Sequence, residues 1–353
     1  TKIVRSGDIA VQEGRIVGVG SYDGETETDL RGHYVAPGFI DAHVHLESSM
    51  ASPALFARKV LPCGTTTVIA DPHEIVNVVG LEGLEYMLEA SKNAAVNIYF
   101  VLPSCVPLDR HDHNGAAFTA RQMAFVKDNP RILGLGEVMN YEAVAAGDGD
   151  LLEKIELLEP KVIDGHAPSV TGKKLQAYKL AGVQTDHECS TWEQALERLR
   201  DGFVVQVREG SAARNLEAIV GGALKAGMDF SRFVFCTDDL HLDDVVKKGH
   251  INHNIKKAIS LGADPIEAVA AATINAARLY RLDDIGAVAP GYRADLAVLE
   301  SLDPFTVCGV YQGGVPAEEL LGRNAPQIPA GEHVTHSVHV PGIPAGKLFL
   351  PAY

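Results

Sequence analysis

Eight short β-rich runs, each followed by a segment of helical periodicity, alternate along the middle of the chain, and no other feature narrows the fold as much. The runs are 39–45, 65–72, 97–104, 132–138, 161–167, 183–188, 203–210 and 232–239. Strands that alternate with helices pair in parallel, because each crossover returns the chain to the same end of the sheet. Eight such units over about 250 residues are what a closed (β/α)8 barrel, the TIM barrel, needs. The expected class is therefore α/β. The helix after Ser190 is typical of the set: Trp192, Leu196 and Leu199 recur at i, i+4 and i+7 behind a Ser/Thr cap, an apolar stripe that faces the sheet.

The ends have a different texture. Residues 1–37 hold short β-like pieces at 9–11 and 15–19 between Gly and charged turns, and a similar pattern returns over 286–322, clearest at 294–299. The expected organisation is a small β domain assembled from both flanks beside a barrel at 38–285. The segment 323–353 is rich in Pro, Gly and His without periodicity, and is expected to be an extended tail or partner-contacting arm.

Composition excludes several function classes. The 353 residues are 46% hydrophobic, with 31 basic against 46 acidic side chains and a net charge of −15. That charge disfavours a surface that tracks phosphates, so no nucleic-acid partner is expected. No run approaches the roughly 18 to 20 apolar residues of a membrane span, and the first residues lack the order of a signal peptide. The expectation is a cytoplasmic protein without a membrane partner. Cys63, Cys105, Cys189, Cys236 and Cys308 are scattered, with no Cys-x-x-Cys pair. They are expected to be free thiols, which leaves His and carboxylates to hold any metal.

Ionisable residues collect where a barrel places its chemistry, at the C-terminal ends of the strands. The first strand ends Asp41-Ala42-His43-Val44-His45, and the period of two turns both imidazoles to the same side. Further ends carry Glu137, His166, Asp186-His187-Glu188 and Thr237-Asp238-Asp239. Each alone is unremarkable; together, four His and two carboxylates at the ends of five strands form a ligand set. Imidazole and carboxylate suit divalent Zn, Fe or Mn. Six ligands exceed one tetrahedral ion and fit two ions about 3.5 Å apart that share a bridging carboxylate and hydroxide. Glu137, central among the strands, is the natural bridge.

The run from Pro37 to Met50, read Pro-Gly-Phe-Ile-Asp-Ala-His-Val-His-Leu-Glu-Ser-Ser-Met, resembles the first-strand signature of the amidohydrolase superfamily in its bacterial adenine deaminase form. Asp71-Pro72-His73-Glu74, Arg208-Glu209-Gly210-Ser211, Cys236-Thr237-Asp238-Asp239 and Ala289-Pro290-Gly291-Tyr292 are also similar to segments of that family. The resemblance extends from Gly7 to about Gly314, and such enzymes usually carry a further C-terminal domain that this chain does not match. It implies that His43, His45, His166, His187 and Asp238 are metal ligands, with Glu137 where many relatives use a carboxylated lysine. It implies Mn or Fe as the metal, and deamination of adenine to hypoxanthine and ammonia in purine salvage.

The expected mechanism is attack by a metal-activated hydroxide, with Asp238 moving its proton to the departing amine. Glu188 either hydrogen-bonds a ring nitrogen of the purine or orients a ligand. Asp71, His73 and Glu74 line the pocket or form a network behind the ligands. Arg208 and Glu209 support the site as internal ion pairs or touch substrate. Glu47, Ser48 and Ser49 shape the pocket floor, and Asp239 binds nearby or caps the next helix. His111, His113, His250 and His253 read as surface or helix residues. A homo-oligomer, a dimer, is expected. The alternatives are a cyclic amide hydrolase of dihydroorotase or hydantoinase type, which generally carries lysine in the fourth strand, and a non-catalytic barrel scaffold. Cytidine-type zinc deaminases are excluded because they need a Pro-Cys-x-x-Cys pair.

Overall fold

The computed structural model describes residues 3–109, 111–323 and 328–337, with 342 and 344. The chain opens with β1 (Asp8–Gln12) and β2 (Arg15–Gly20), an antiparallel hairpin. Its two turn residues, Glu13 and Gly14, have φ of 51° and 75°, the left-handed pair that matches the twist of a tight hairpin. Next come β3 (Tyr34–Pro37) and the barrel strands β4 (Phe39–His45), β5 (Thr65–Ala70), β6 (Asn97–Leu102), β7 (Ile132–Val138) and β8 (Val162–Gly165). The barrel continues with β9 (Thr185–Asp186), β10 (Val204–Arg208), β11 (Phe233–Cys236) and β12 (Asp238–Asp239). The chain then adds β13 (Leu296–Leu302), β14 (Phe305–Gln312) and β15 (Val315–Pro316).

The parallel strands close on themselves. One sheet runs β12-β4-β5-β6-β7-β8 and another β11-β10-β9, and the Gln184 amide donates to the Ile163 carbonyl at 2.9 Å to join β9 to β8. The eighth strand seals the ring in two halves: β11 pairs with β10, and β12 pairs with β4. The break falls at Thr237, whose amide leaves the ladder for the Asp41 carboxylate at 3.0 Å. The sixth strand is shorter than the expected 183–188 for a related reason. The Asp186 carboxylate accepts from the Ala167 and Glu188 amides at 3.2 and 2.9 Å, taking the place of ladder bonds.

Outward-facing strand residues such as Val44, Phe100, Leu102 and Leu135 pack with Phe56, Leu84 and Met87 of the surrounding helices in one buried cluster. This apolar shell carries the stability and leaves the mouth free for polar groups. Beside the barrel, β3 from the N-terminal flank pairs antiparallel with β13 from the C-terminal flank, in a sheet ordered β15-β14-β13-β3. The Ile16 amide donates to the Tyr292 carbonyl at 2.8 Å, which ties the hairpin to the same flank. All five cysteines are free. Among the described residues no helix is long and apolar enough to cross a membrane. The tail expected from Arg323 lies largely outside the described residues; 328–337 include one helical turn at Glu332–Thr335.

Candidate metal centre

The strands that carry the candidate ligand set depart from regular pairing where those residues sit. The register of β4 against β5 shifts between Asp41 and Val44, and that of β7 against β8 between Leu135 and Val138. Such irregularities re-aim side chains beside functional sites. Asp238 has φ of 60°, a left-handed conformation that strains a residue with a Cβ and that Asp tolerates better than most. Gly136 precedes the expected bridge because a Cβ there would collide with the Asp71 carboxylate.

His43 and His45 are both buried. His43 Nδ1 lies 2.8 Å from Asp164 Oδ2, and His45 Nδ1 lies 2.9 Å from the Asp71 carbonyl oxygen. Both partners are acceptors, so each ring donates through Nδ1. The two Nε2 atoms, 3.2 Å apart, therefore face each other as lone pairs unless a cation stands between them. The surrounding charges favour one. Burial alone would lower the His45 pKa, yet the bond to Asp238 and the charges of Glu137, Glu74 and Asp71 raise it well above the usual histidine range.

Glu137 joins this pair to a second one. Its Oε1 is 3.5 Å from His45 Nε2, while Oε2 is 2.6 Å from His166 Nδ1 and 3.1 Å from His187 Nε2. Burial opposes its charge, but hydrogen bonds from His166, His187 and His73 hold its pKa well below the usual carboxylate range. Asp238 Oδ1 completes the first group, 3.2 Å from His45 Nε2 and 3.7 Å from His43 Nε2. Ligating atoms of His43, His45 and Glu137, and those of Glu137, His166 and His187, lie within 4.8 Å of one another. In their deprotonated forms these imidazole nitrogens and carboxylate oxygens fit divalent metal ions.

The remaining candidates divide into those near this centre and those away from it. Arg208 forks onto Glu188, with Nη2 to Oε2 at 2.9 Å and a second bond from Nη1 to Oε1, and Nη1 also donates to Asp238 Oδ2 at 2.8 Å. The second Asp238 oxygen is thus not free. Glu188 Oε1 lies 3.5 Å from His166 Nδ1. Asp71, His73, Glu74 and Glu47 gather on the β5 side: Asp71 Oδ2 accepts from the Glu137 amide at 3.0 Å, and Glu47 Oε1 from the Ile75 amide at 3.2 Å. Ser48 donates to Asp239, so Asp239 is held at the mouth and does not cap the next helix, whose N-cap His241 has no side-chain bond. Ser49 turns back to the Leu46 carbonyl.

Glu209 faces away from the centre and pairs with Lys257 at 2.8 Å, because the strand's alternation sends neighbours to opposite sides. His250 is no surface residue. It is buried, bonded to Thr65 at 2.8 Å and 3.1 Å from Asp41 Oδ2. His253 is half-buried on the helix that follows, whereas His111 and His113 are exposed.

Sequence reasoning missed Asp164, which orients His43. The signal was present, since Asp164 stands two residues before His166 and so shares its face of the strand. It also missed the buried pair beneath His187, Asp186 with Arg198 at 2.8 Å. No strand parity points to that one, because Arg198 arrives from a helix.

The model of the amidohydrolase family matches residues 34–317. The adenine deaminase of Desulfitobacterium hafniense (strain Y51) is 48% identical over 343 residues, which cover 97% of this chain and 60% of that protein. Adenine deaminase 2 of Carboxydothermus hydrogenoformans is 47% identical over 352 residues, 98% of this chain and 61% of the relative. The chain thus spans about three fifths of the length of these curated relatives. A crystal structure of an adenine deaminase aligns with a TM-score of 0.64 at 18% identity, over 87% of this chain and 94% of that one; at that identity the likeness speaks for the fold.

Proposed function

The chain belongs to the amidohydrolase family, and from that premise we propose that it hydrolyses adenine to hypoxanthine and ammonia. The observation that carries the reading is Glu137, which turns one oxygen toward His45 and the other toward His166 and His187. That is the arrangement of a carboxylate shared by two cations. The relatives at 48% and 47% identity, named adenine deaminases, supply the substrate.

Two divalent ions, manganese or iron, would be held by His43, His45, Glu137, His166, His187 and Asp238 and would supply the Lewis acidity that makes water a nucleophile near neutral pH. The protein's own groups do the rest. Asp238 takes the proton of the attacking water and passes it toward the amino group, which leaves as ammonia. Arg208 fixes that carboxylate and swings Glu188 to the same side, where Glu188 hydrogen-bonds a ring nitrogen of the purine. Asp164 and the Asp71 carbonyl set the tautomers of His43 and His45. Ser48 and Asp239 close the mouth.

The same reading makes residues 1–37 and 286–322 one small β domain beside the barrel, and assigns a cytoplasmic homodimer acting in purine salvage. The deciding assay is ammonia release by Mn-loaded protein from adenine, other aminopurines, dihydroorotate and hydantoin. Turnover of adenine with one ammonia per hypoxanthine supports the proposal. Ring opening of a cyclic amide with no ammonia from adenine overturns it.

A further inference from the structure

Asp238 sits where few residues with a Cβ settle, at φ of 60°. A side-chain-bearing residue in the left-handed region persists where the surrounding structure over-determines it. The turn at 236–239 is held first from the end of β10 and from the helix Ile251–Ser260. The Cys236 carbonyl accepts from the Glu209 amide at 3.1 Å and from Asn254 Nδ2 at 3.0 Å. The Asp239 carbonyl accepts from the Ser211 amide at 2.8 Å. Gly210 lies so close that a Cβ there would stand 2.3 Å from the Thr237 carbonyl oxygen and 2.6 Å from that of Asp239.

The hold from β4 is of a different kind. Asp41, fully buried, turns both carboxylate oxygens to Thr237: Oδ1 accepts its amide at 3.0 Å and Oδ2 its hydroxyl at 2.5 Å. A hydroxyl this near a carboxylate makes a charge-assisted bond, one of the stronger kinds. His250 Nε2 lies 3.1 Å from the same Oδ2 but off the line of a hydrogen bond, so the Thr237 hydroxyl is the directional contact there. Oδ1 also accepts from the His43 amide at 3.3 Å. One carboxylate therefore ties the backbone of His43 to the backbone just before Asp238. The two side chains so tied meet at the centre, with His43 Nε2 3.7 Å from Asp238 Oδ1.

We propose that Thr237 is a positioning residue of the centre: its hydroxyl, latched to Asp41, sets the Asp238 backbone so that Oδ1 faces His45 and His43 while Oδ2 meets Arg208. The proposal rests on reading His43, His45 and Asp238 as metal ligands and Asp238 as the proton carrier. The geometry explains why a hydroxyl is needed in addition to the amide. A single bond from the Thr237 amide to Oδ1 would let the turn pivot about that oxygen; a second bond from the side chain to Oδ2 removes the pivot. Threonine suits the task because its branched Cβ restricts χ1 and holds the hydroxyl on target. Valine would keep the shape without the donor, and serine the donor without the branch.

Chelator competition for Mn²⁺ and the rate of ammonia release from adenine test this on the full chain, on Thr237→Val and on Thr237→Ser. The Val variant should bind Mn²⁺ about 10- to 100-fold more weakly, the usual cost of losing a group that orients a ligand from behind. At full occupancy it should lose kcat with KM little changed, since the turn serves the reacting step and not the binding of adenine. The Ser variant should recover most of both losses. A hydroxyl that only held the fold together would lower the unfolding midpoint of metal-free and Mn-loaded Val protein alike and leave the affinity unchanged; that result overturns the proposal, as does a Ser variant no better than Val. Wild-type protein that binds Mn²⁺ but releases no ammonia from adenine would remove the substrate reading and leave the affinity comparison to decide the role of Thr237. Wild-type protein that binds no Mn²⁺ would overturn both. Should the Val variant fail to fold, Thr237→Cys, with only a weak donor in place of the hydroxyl, takes its place in the same comparison.

Discussion

Arg208 Nη1 lies 2.8 Å from Asp238 Oδ2, while Oδ1 of the same carboxylate lies 3.2 Å from His45 Nε2. One side chain thus has its two oxygens assigned to different neighbours, one toward His45 and His43 and one toward a guanidinium that also grips Glu188. The sequence places Arg208, Glu188 and Asp238 at the ends of three neighbouring strands; the barrel's curvature brings them together.

Removing the guanidinium from this network leaves two carboxylates facing each other in a site where all three side chains are at most 13% exposed. Arg208→Gln should lower stability by about 3 kcal/mol, in the range for breaking one partner of a buried ion pair. Arg208→Lys should recover only part, since an ammonium cannot fork onto Glu188. Denaturant titration of metal-loaded protein measures both, and a Gln variant as stable as wild type would show that the network contributes nothing.

His43 depends on Asp164 for its tautomer, at 2.8 Å and with both side chains fully buried. Asp164→Asn lets the amide nitrogen face the ring and present the wrong nitrogen to the centre. Metal affinity should fall by about 10- to 100-fold, the usual cost of losing such an orienting partner. Competition with a chelator of known affinity reads this directly; an unchanged affinity would make Asp164 a mere filler of the barrel floor.

Much of this was legible in the sequence, and the exceptions have physical causes. Strand order and the positions of His43, His45, Glu137, His166, His187 and Asp238 follow from period-two alternation and from the rule that barrels load their C-terminal ends. What alternation cannot give is which polar groups substitute for ladder bonds. Asp186 and Asp41 do so, and they cut the sixth and eighth strands short. His250 was misread because a histidine before a helix looks exposed, whereas the packing of that helix against the barrel drives the ring inward to Thr65 and Asp41. Glu209 forms an internal ion pair, with Lys257, but on the face away from the centre, because adjacent strand residues face opposite ways.

Glu137→Gln should reduce the metal content of the pair from about two ions per chain toward about one, because an amide cannot offer two anionic oxygens to two cations. Elemental analysis of dialysed protein is the measurement. Unchanged occupancy would remove Glu137 from the bridging role and leave it as a hydrogen-bond acceptor for His166.

Metal-free protein should lose stability as the pH rises from about 7 to 10. His187 is raised to about 10 and His73 to about 9; burial alone would lower both, but bonds to Glu137 and the neighbouring carboxylates outweigh it. The folded state therefore holds protons that the unfolded chain releases near pH 6.5. A raised pKa of this kind gives stability fully present below that value and lost through the folded one. Glu47, raised from 4.5 to about 7, acts in the same sense but at lower pH, between those two values. The midpoint of thermal unfolding should drop on the order of 3 °C, equivalent to about 2 kcal/mol for a chain of this length. Metal-loaded protein should not follow, since ligation needs the imidazoles unprotonated and strengthens with pH. Parallel curves for the two forms would argue against ion binding by these histidines.

Asp238→Asn separates a ligand from a proton carrier. The amide keeps an oxygen that can face His45 and the metal side, and it keeps the volume that fills the left-handed turn at φ of 60°, which Asn tolerates as well as Asp. What it loses is the basic site. Burial resists charge on Asp238, yet the bond to His45 and the charges of His187 and His43 hold its pKa far below the usual range in the metal-free site, so it is an anion at every pH of interest. If Asp238 carries the proton from water to the departing amine, the Asn variant should retain most of its metal while kcat falls by about two to four orders of magnitude. Little change is expected in the binding of adenine, because neither water nor amine has yet moved a proton in that complex. The matched control is metal content on the same sample, since a fall in rate with a parallel fall in occupancy would report a lost ligand. Near wild-type turnover at full occupancy would move the proton-carrying role to Glu188, the other carboxylate that Arg208 holds over the centre.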